Sequence, residues 1–299
     1  MKIVNIIGGL GNQMFQYAFA LSLQDRFPNE KILIDISHFH YLFLKKWKTS
    51  NLHNGYEIDK IFHNVAIPKA GIGDLMKLTW YMPNYWLSRV IRKVFPLRKT
   101  EYIQTTEQST SFDTLAYNIK GDCYYEGYWQ SISYYLPIRE KIQKTFAHPV
   151  PNDINAKYIQ QIKDSNSVGI HVRRGDYLNF AAYKDICNLE YYQKAIKEVL
   201  KDGQLHSFYI FSNDVEWCKS NICPLLGNNP CHIVTENTGK NSCWDMFLMT
   251  YCQDLIIANS SFSWWGAFLN NRGGRVISSA KWNNKKSKLD FWAPEWIRM

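Results

Sequence analysis

The sequence contains no C-x-x-C pair, no D-x-D triplet, no G-K-[ST] and no G-x-S-x-G, and no apolar stretch reaches the roughly 18 unbroken residues of a membrane span. Each gap excludes something. Without closely paired cysteines, neither a zinc ribbon nor a disulfide framework is indicated. The seven cysteines (Cys123, Cys187, Cys218, Cys223, Cys231, Cys243, Cys252) therefore read as free thiols in a reducing compartment. Without D-x-D there is no acidic grip on a magnesium-bound nucleotide, and the eight histidines show no zinc spacing, so no metal cofactor is expected. The missing G-K-[ST] argues against a P-loop, and the missing G-x-S-x-G against a serine hydrolase. Low-complexity tracts and repeats of solenoid length are also absent.

The N-terminus imitates a secretory signal. Lys2 precedes an uncharged run from Ile3 to Gln24 that contains Ala18-Phe19-Ala20. However, Gly8, Gly9, Gly11, Asn12, Gln13 and Gln16 interrupt the apolar region that such a signal must keep. A cytoplasmic protein is expected, with peripheral contact at the cytoplasmic membrane face left open.

What remains is a folded composition: 46% hydrophobic and 20% charged residues over 299 positions, enough for two domains with separate cores. The net charge of +9 favours an anionic partner, whether nucleic acid, an anionic membrane or a phosphorylated small molecule. It is equally consistent with a soluble basic surface.

The opening reads as strand (KIVNII), glycine loop (GGLGNQ), helix (MFQYAFALSLQDRF) and strand (KILIDI). Residues 37 to 120 show no clean period and predict irregular helices and loops. Pro149 and Pro151 mark a junction, giving domains 1–150 and 151–299. After residue 165 short apolar strands alternate with helices, predicting a parallel sheet covered on both faces, whose ligands bind beyond the carboxyl ends of the strands.

Polar clusters fall at those ends. In His171-Val172-Arg173-Arg174-Gly175-Asp176-Tyr177 two arginines leave a strand into a glycine turn, and a guanidinium fork matches phosphate oxygens. A pairing of arginine with Asp176 is the bland alternative. Side-chain alternation further suggests that one arginine serves a site while the other supports the fold. Gly8-Gly9-Leu10-Gly11-Asn12-Gln13 lets backbone approach an anion at a helix start. That cluster, with Asp35 after the second strand, also partly matches an NAD fingerprint, although Met14 occupies the third glycine position. Asn259-Ser260-Ser261-Phe262 reads either as helix caps or as a phosphate cradle. Asp245, set among apolar neighbours, needs a specific partner. A guanine edge would supply one, and a favourable interaction with the helix dipole is the alternative.

Taken in order, GGLGNQMFQYA, GYWQSISYY, HVRRGDY, FSND and ANSSFSWWGAF resemble the motifs of bacterial α-1,2-fucosyltransferases, glycosyltransferase family 11. The resemblance implies an α/β GT-B fold of two Rossmann-like domains facing across a cleft, the first on the acceptor side and the second binding the donor. It implies GDP-β-L-fucose as donor, inversion at the anomeric carbon, no metal, and a β-galactoside glycan as acceptor, as in O-antigen precursors. Carried over by position, Gly9, Gly11, Asn12, His171, Arg173, Arg174, Asn213, Asp245, Ser260, Ser261 and Phe262 would bind the donor. Tyr128, Trp129 and Gln130 would face the acceptor or pack as core. Arg173 and Asn12 would assist departure of the diphosphate. Asp176 would be the general base, with Glu126 in reserve. A nucleotide-sugar or carbohydrate-binding module without catalysis and an NAD-dependent oxidoreductase are the competing readings, and no nucleic acid is expected as partner.

Overall fold

The computed structural model describes residues 1–39, 54–80, 85–105, 107–284 and 290–299, without the side chains of Tyr85, Trp86, Arg89, Arg92, Lys93 and Asp176. Two compact units emerge: Met1–Pro149 with Ser287–Phe291, and Val150–Lys286 with Trp292–Met299. A single cut at residue 150 therefore misses a short C-terminal return into the first unit.

The first unit has a four-stranded parallel sheet of β1 (Lys2–Asn5), β2 (Ile32–Asp35), β3 (Glu101–Ile103) and β4 (Cys123–Glu126), in the order β2-β1-β4-β3. The helix after β1 spans Leu10–Arg26, so Gly11, Asn12 and Gln13 belong to its first turn and not to the preceding loop. Thirteen of its residues are buried, from Leu10 to Leu23, which explains why it shows little amphipathic period. Strand β3 falls within the stretch expected to hold only helices and loops; at three residues it is too short to show alternation. The aromatic run after Phe39 lies outside the described residues up to position 53.

The second unit has a six-stranded sheet made of β5 (Ser167–Val172), β6 (Ser207–Ser212), β7 (Cys231–Val234), β8 (Asp254–Ile257), β9 (Val276–Ser278) and β10 (Ile297–Arg298). All of its pairings are parallel, as the alternating strands and helices predicted. Strand β10, two residues at the chain end, had no sequence signal. The spatial order is β10-β9-β8-β5-β6-β7. Counted within the unit this is 6-5-4-1-2-3, the dinucleotide-fold order read from the other edge. The order reverses between β5 and β8, where chain connections leave in opposite directions and open a crevice.

The core explains the strand composition. Val168, Ile170 and Val172 of β5 pack with Phe208 and Ile210 of β6 and with Tyr192, Ile196 and Val199 of the helix Leu189–Val199. Each such side chain contributes about 1.5–3 kcal/mol of hydrophobic stabilisation. On the opposite face, Gly169 makes room for Leu255 and Cys252; a Cβ there would lie 2.8 Å from Leu255 Cδ2.

Candidate active site

The β5–β8 reversal brings two of the sequence clusters to one sheet edge. On alternating β5, His171 falls on the face opposite Ile170 and Val172, and Arg173 continues that face as the strand ends. His171 is only 6% exposed, and its Nδ1 has no hydrogen-bond partner among the described residues. Its ring lies 5.8 Å from that of Phe262, which belongs to the helix following β8. Burial and the neighbouring Arg173 charge push its pKa down to about 3, so the imidazole is neutral at working pH. An unpaired buried nitrogen costs about 1–3 kcal/mol, a cost that a ligand or water can remove.

The two arginines separate. Arg174 turns to the other side, where its Nε donates to Asp214 at 3.1 Å and its guanidinium lies 4.2 Å from the Trp217 ring centre. Asp214 in turn accepts from Trp217 N and caps the helix Val215–Asn221. Arg174 thus has Asp214 and Trp217 as its partners, the fold-supporting position that side-chain alternation offered one of the two arginines. Arg173 lies 5.4 Å over the Tyr177 ring and remains half-buried at the strand end. Asn213 is also redirected: its Oδ1 accepts from Arg174 N at 3.0 Å and fixes the turn. A Cβ on Gly175 would come within 2.2 Å of Asn213 Nδ2, so any side chain here would displace the Asn213 amide that accepts from Arg174 N. The Asp176 backbone sits in the 3-10 turn Gly175–Asn179, while its side chain lies outside what the structure describes.

At the end of β8, Asn259 donates to Trp282 O at 3.1 Å, anchoring the turn. Ser260 occupies the N-cap of the helix Ser261–Leu269, yet its hydroxyl makes no capping bond. Ser263 instead donates to Ala258 O and Ser260 O, both at 3.3 Å. The capping reading of this serine cluster therefore fails. The first amides of the helix keep their donor capacity, with Ser261 and Phe262 half-buried beside them, an arrangement that favours an anion.

Asp245 is half-buried in the first turn of the helix Cys243–Met249. Burial drives its pKa up to about 7, the Glu236 charge adds to this, and the hydrogen bond from Asn237 Nδ2 at 2.9 Å opposes it. Asn237 is itself locked by a reciprocal amide pair with Asn155, both bonds at 3.0 Å. Neither Asn155 nor Asn237 lies in any of the sequence motifs, so this pair has no local signal. The Asp245 Oδ1 oxygen takes the Asn237 amide, leaving Oδ2 for another donor.

In the first unit, Gly8 adopts a left-handed backbone with φ +79°. A Cβ there would lie 3.1 Å from Asn12 Nδ2, so this glycine makes room for the Asn12 amide. The glutamines nearby are clamps. Gln13 donates to Gly8 O at 2.9 Å and Gly55 O at 2.8 Å, and accepts from Glu57 N at 2.9 Å. Gln16 accepts from Ile7 N at 2.8 Å and donates to Gly127 O at 3.0 Å, joining the ends of β1 and β4. Gly9 is the N-cap in extended geometry, and Gly11 lies buried in the first turn. Gln130, 6% exposed, donates to Asn12 Oδ1 at 3.1 Å, which orients the Asn12 amide with its Nδ2 hydrogens turned away from that bond.

Trp129 is core. It is 0% exposed and stacks on Phe19 with ring centres 4.1 Å apart and planes 4° from parallel. Its backbone takes φ +53°, costly for a bulky residue and maintained by the Gln104 side-chain Oε1, which accepts from Tyr128 N and Trp129 N. It therefore drops out as an acceptor contact, while half-buried Tyr128 stays a candidate. Glu126 is 8% exposed at the end of β4. Asp35, the acid on which the NAD alternative depended, is 2% exposed and accepts from Tyr124 Oη at 2.7 Å and Asn5 Nδ2 at 3.2 Å. A carboxylate engaged in this way inside the sheet is not presented to a ribose, and the oxidoreductase reading loses its second support.

The model of "Glycosyl transferase family 11" matches residues 86–299. An alpha-1,2-colitosyltransferase from Escherichia coli is 30% identical over 309 residues, covering 99% of this chain and 98% of that protein. The O-antigen biosynthesis glycosyltransferase WbnK, also from Escherichia coli, is 29% identical with 95% and 97% covered. Galactoside alpha-(1,2)-fucosyltransferase 2 of Hylobates lar is 25% identical, covering 99% of this chain and 76% of its own. Among solved structures, a glycosyl transferase of family 9 from Veillonella parvula superposes with a TM-score of 0.46 at 10% identity, covering 100% of this chain and 86% of the other, too low to add to the topology. The chain belongs to glycosyl transferase family 11.

Proposed function

We propose that this glycosyltransferase moves L-fucose from GDP-β-L-fucose to the 2-hydroxyl of a terminal β-galactoside, with inversion at the anomeric carbon. The observation that carries the reading is the sheet reversal in a family 11 chain, where Arg173 follows β5, the uncapped helix Ser261–Leu269 follows β8, and the rings of His171 and Phe262 lie 5.8 Å apart between the two turns. A departing nucleoside diphosphate gains negative charge as the sugar–oxygen bond breaks. Fixed cations and amides stabilise that charge most when they are already in place. Asp245 suits the purine: as a carboxylate, it can accept from the guanine N1–H and N2–H, donors that adenine does not present together.

In the reaction the acceptor oxygen bonds to the anomeric carbon from the face opposite GDP. The bond from that carbon to the β-phosphate oxygen breaks, and the acceptor proton passes to a base. Asp176 is the assigned base. In the first unit, Asn12 and Tyr128 are the residues assigned to substrate contact. The resemblance and the absence of D-x-D support transfer without a divalent metal.

A second donor is favoured by one observation, the 30% identity to a colitosyltransferase. Colitose is L-fucose without its 3-hydroxyl, so the two donors differ by one group that a site can read by hydrogen bonding. The deciding experiment supplies the activated fucose and colitose in turn, with EDTA present, to a panel of β-galactosides and determines the linkage by NMR. Fucosyl transfer in α-1,2 linkage supports the proposal, whereas transfer of colitose alone reassigns the donor. A chain that binds GDP but forms no product with either donor is a binding module. Separately, Asp176→Asn with saturating acceptor should reduce turnover at least about 100-fold, and unchanged turnover removes Asp176 as base.

A further inference from the structure

The helix Tyr85–Val94 of the first unit carries apolar residues at positions 87, 90, 91 and 94, the spacing of a single helical stripe. In a globular protein such a stripe faces the core. Here three of the four face outward: Leu87 is 45%, Val90 55% and Val94 73% exposed and Ile91 is half-buried, whereas Ser88 is 1% exposed. The apolar row continues beyond the helix. Phe95 and Leu97 are 55% and 45% exposed, and Trp80 is 41% exposed with its ring 6.0 Å from that of Phe95. A hydrogen bond from Trp80 Nε1 to Pro96 O at 3.0 Å fixes that contact. Arg98 donates to Met76 O at 2.8 Å and so ties in the helix Ile72–Leu78, whose Ile72 and Met76 are 53% and 58% exposed. Isolated exposed apolar side chains need no explanation, but a continuous row does.

The charge pattern says what covers it. From Ile72 to Thr100 the sequence holds Lys77, Arg89, Arg92, Lys93, Arg98 and Lys99 against a single acidic residue, Asp74, which accepts from Gly71 N and Lys31. A second copy of the same face would meet it with like charge. A protein partner would have to be both acidic and broadly apolar, whereas an anionic bilayer surface is so by construction. The helix has 10 residues, half of the roughly 20 needed to cross a bilayer, so it can only lie in the plane of the interface.

We propose that this face docks the protein on a membrane containing anionic lipids, with Leu87, Val90, Val94 and Phe95 at the headgroup boundary and the net positive charge of the segment drawing it to lipid phosphates. The assignment does not depend on the identity of the donor sugar.

Vesicle flotation tests it, using the full chain with vesicles of equal parts phosphatidylglycerol and phosphatidylcholine against pure phosphatidylcholine. Wild type should float with the mixed vesicles, bind the neutral ones about tenfold more weakly or worse, and lose binding as salt rises. The double variant V90D/V94D should stay in solution while keeping wild-type transfer to a soluble acceptor. Lys99→Glu, at an exposed position, should weaken flotation several-fold without touching the apolar row. No flotation of wild type at low salt overturns the proposal, as does flotation unaffected by either variant. A lipid-free dimer that V90D/V94D dissociates would overturn it in favour of self-association. If the double variant fails to fold, Lys99→Glu still decides.

Discussion

Arg173 and Arg174 are adjacent in sequence and separate in role. The strand geometry sends Arg174 to Trp217 and Asp214, and leaves Arg173 at the strand edge on the His171 side. Arg173→Ala should therefore lower turnover by about 100- to 1000-fold, the usual loss for one fixed transition-state donor, with unchanged thermal unfolding. Arg174→Ala should act chiefly on the unfolding temperature, since a half-exposed ion pair contributes only about 0.2–1 kcal/mol and the lost stacking on Trp217 adds to it. Transfer assays and calorimetry on both variants check this, and equal turnover in the two would show that the roles are not divided. Asp245 offers a second measurement. Only its ionised form can accept both guanine donors, and its pKa is pushed up to about 7. GDP should accordingly bind more weakly as pH falls below 7. Asp245→Asn should flatten that profile, as measured by calorimetric titration, and a wild-type affinity independent of pH would remove the carboxylate from base recognition.

At the scale of elements, the turns after β5 and β8 carry the proposed donor contacts, and the first rests on a close approach that a single methyl would disturb. Gly175→Ala places a Cβ against Asn213, the residue that holds Arg174 N. The turn should shift and transfer should fall at least about tenfold, while the unit stays folded. Ser260→Ala makes the complementary case. An N-cap serine ordinarily contributes about 1 kcal/mol, but the Ser260 hydroxyl makes no capping bond, so stability should change by less than about 0.5 kcal/mol. If the hydroxyl serves phosphate, the KM for donor should rise instead. A full capping loss in denaturant melts would contradict the structure at this point.

For the molecule as a whole, His171 and Asp245 oppose each other in the dependence of stability on pH. The His171 pKa is depressed from 6.5 to about 3, so its contribution is present above 6.5 and lost as pH falls towards 3. The Asp245 pKa is raised from 3.8 to about 7, so its contribution is present below 3.8 and lost as pH rises towards 7. Between about pH 4 and 6.5 the native state holds one proton more on Asp245 and one fewer on His171 than the unfolded chain, and the two slopes cancel. Asp202, lowered to about 2, acts below this window. Denaturant melts should show a nearly flat wild type between pH 4.5 and 6. Asp245→Asn should lose stability as pH falls, and His171→Phe as pH rises, each by up to about 1.4 kcal/mol per pH unit. A flat response in both single variants would refute the pair.

The sequence by itself determined the parallel character of the second sheet, because strands buried on both faces must be apolar throughout and the helices between them must be amphipathic. It also placed HVRRGDY and NSSFS at strand ends, where the backbone runs out of ladder partners and can serve a ligand. Family membership was legible too, in five short motifs spread along the chain. Only the tertiary structure divided the two arginines, sank Trp129 into the core, tied Asp35 to Asn5 and Tyr124, and joined Asn155 to Asn237 and Asp245. These facts depend on partners 30 to 90 residues away in most cases, and no local period or spacing encodes such a partner. At the ends of β5 and β8, likewise, only the folded chain brings His171, with its unpaired nitrogen, within 5.8 Å of the Phe262 ring from 91 residues along the sequence.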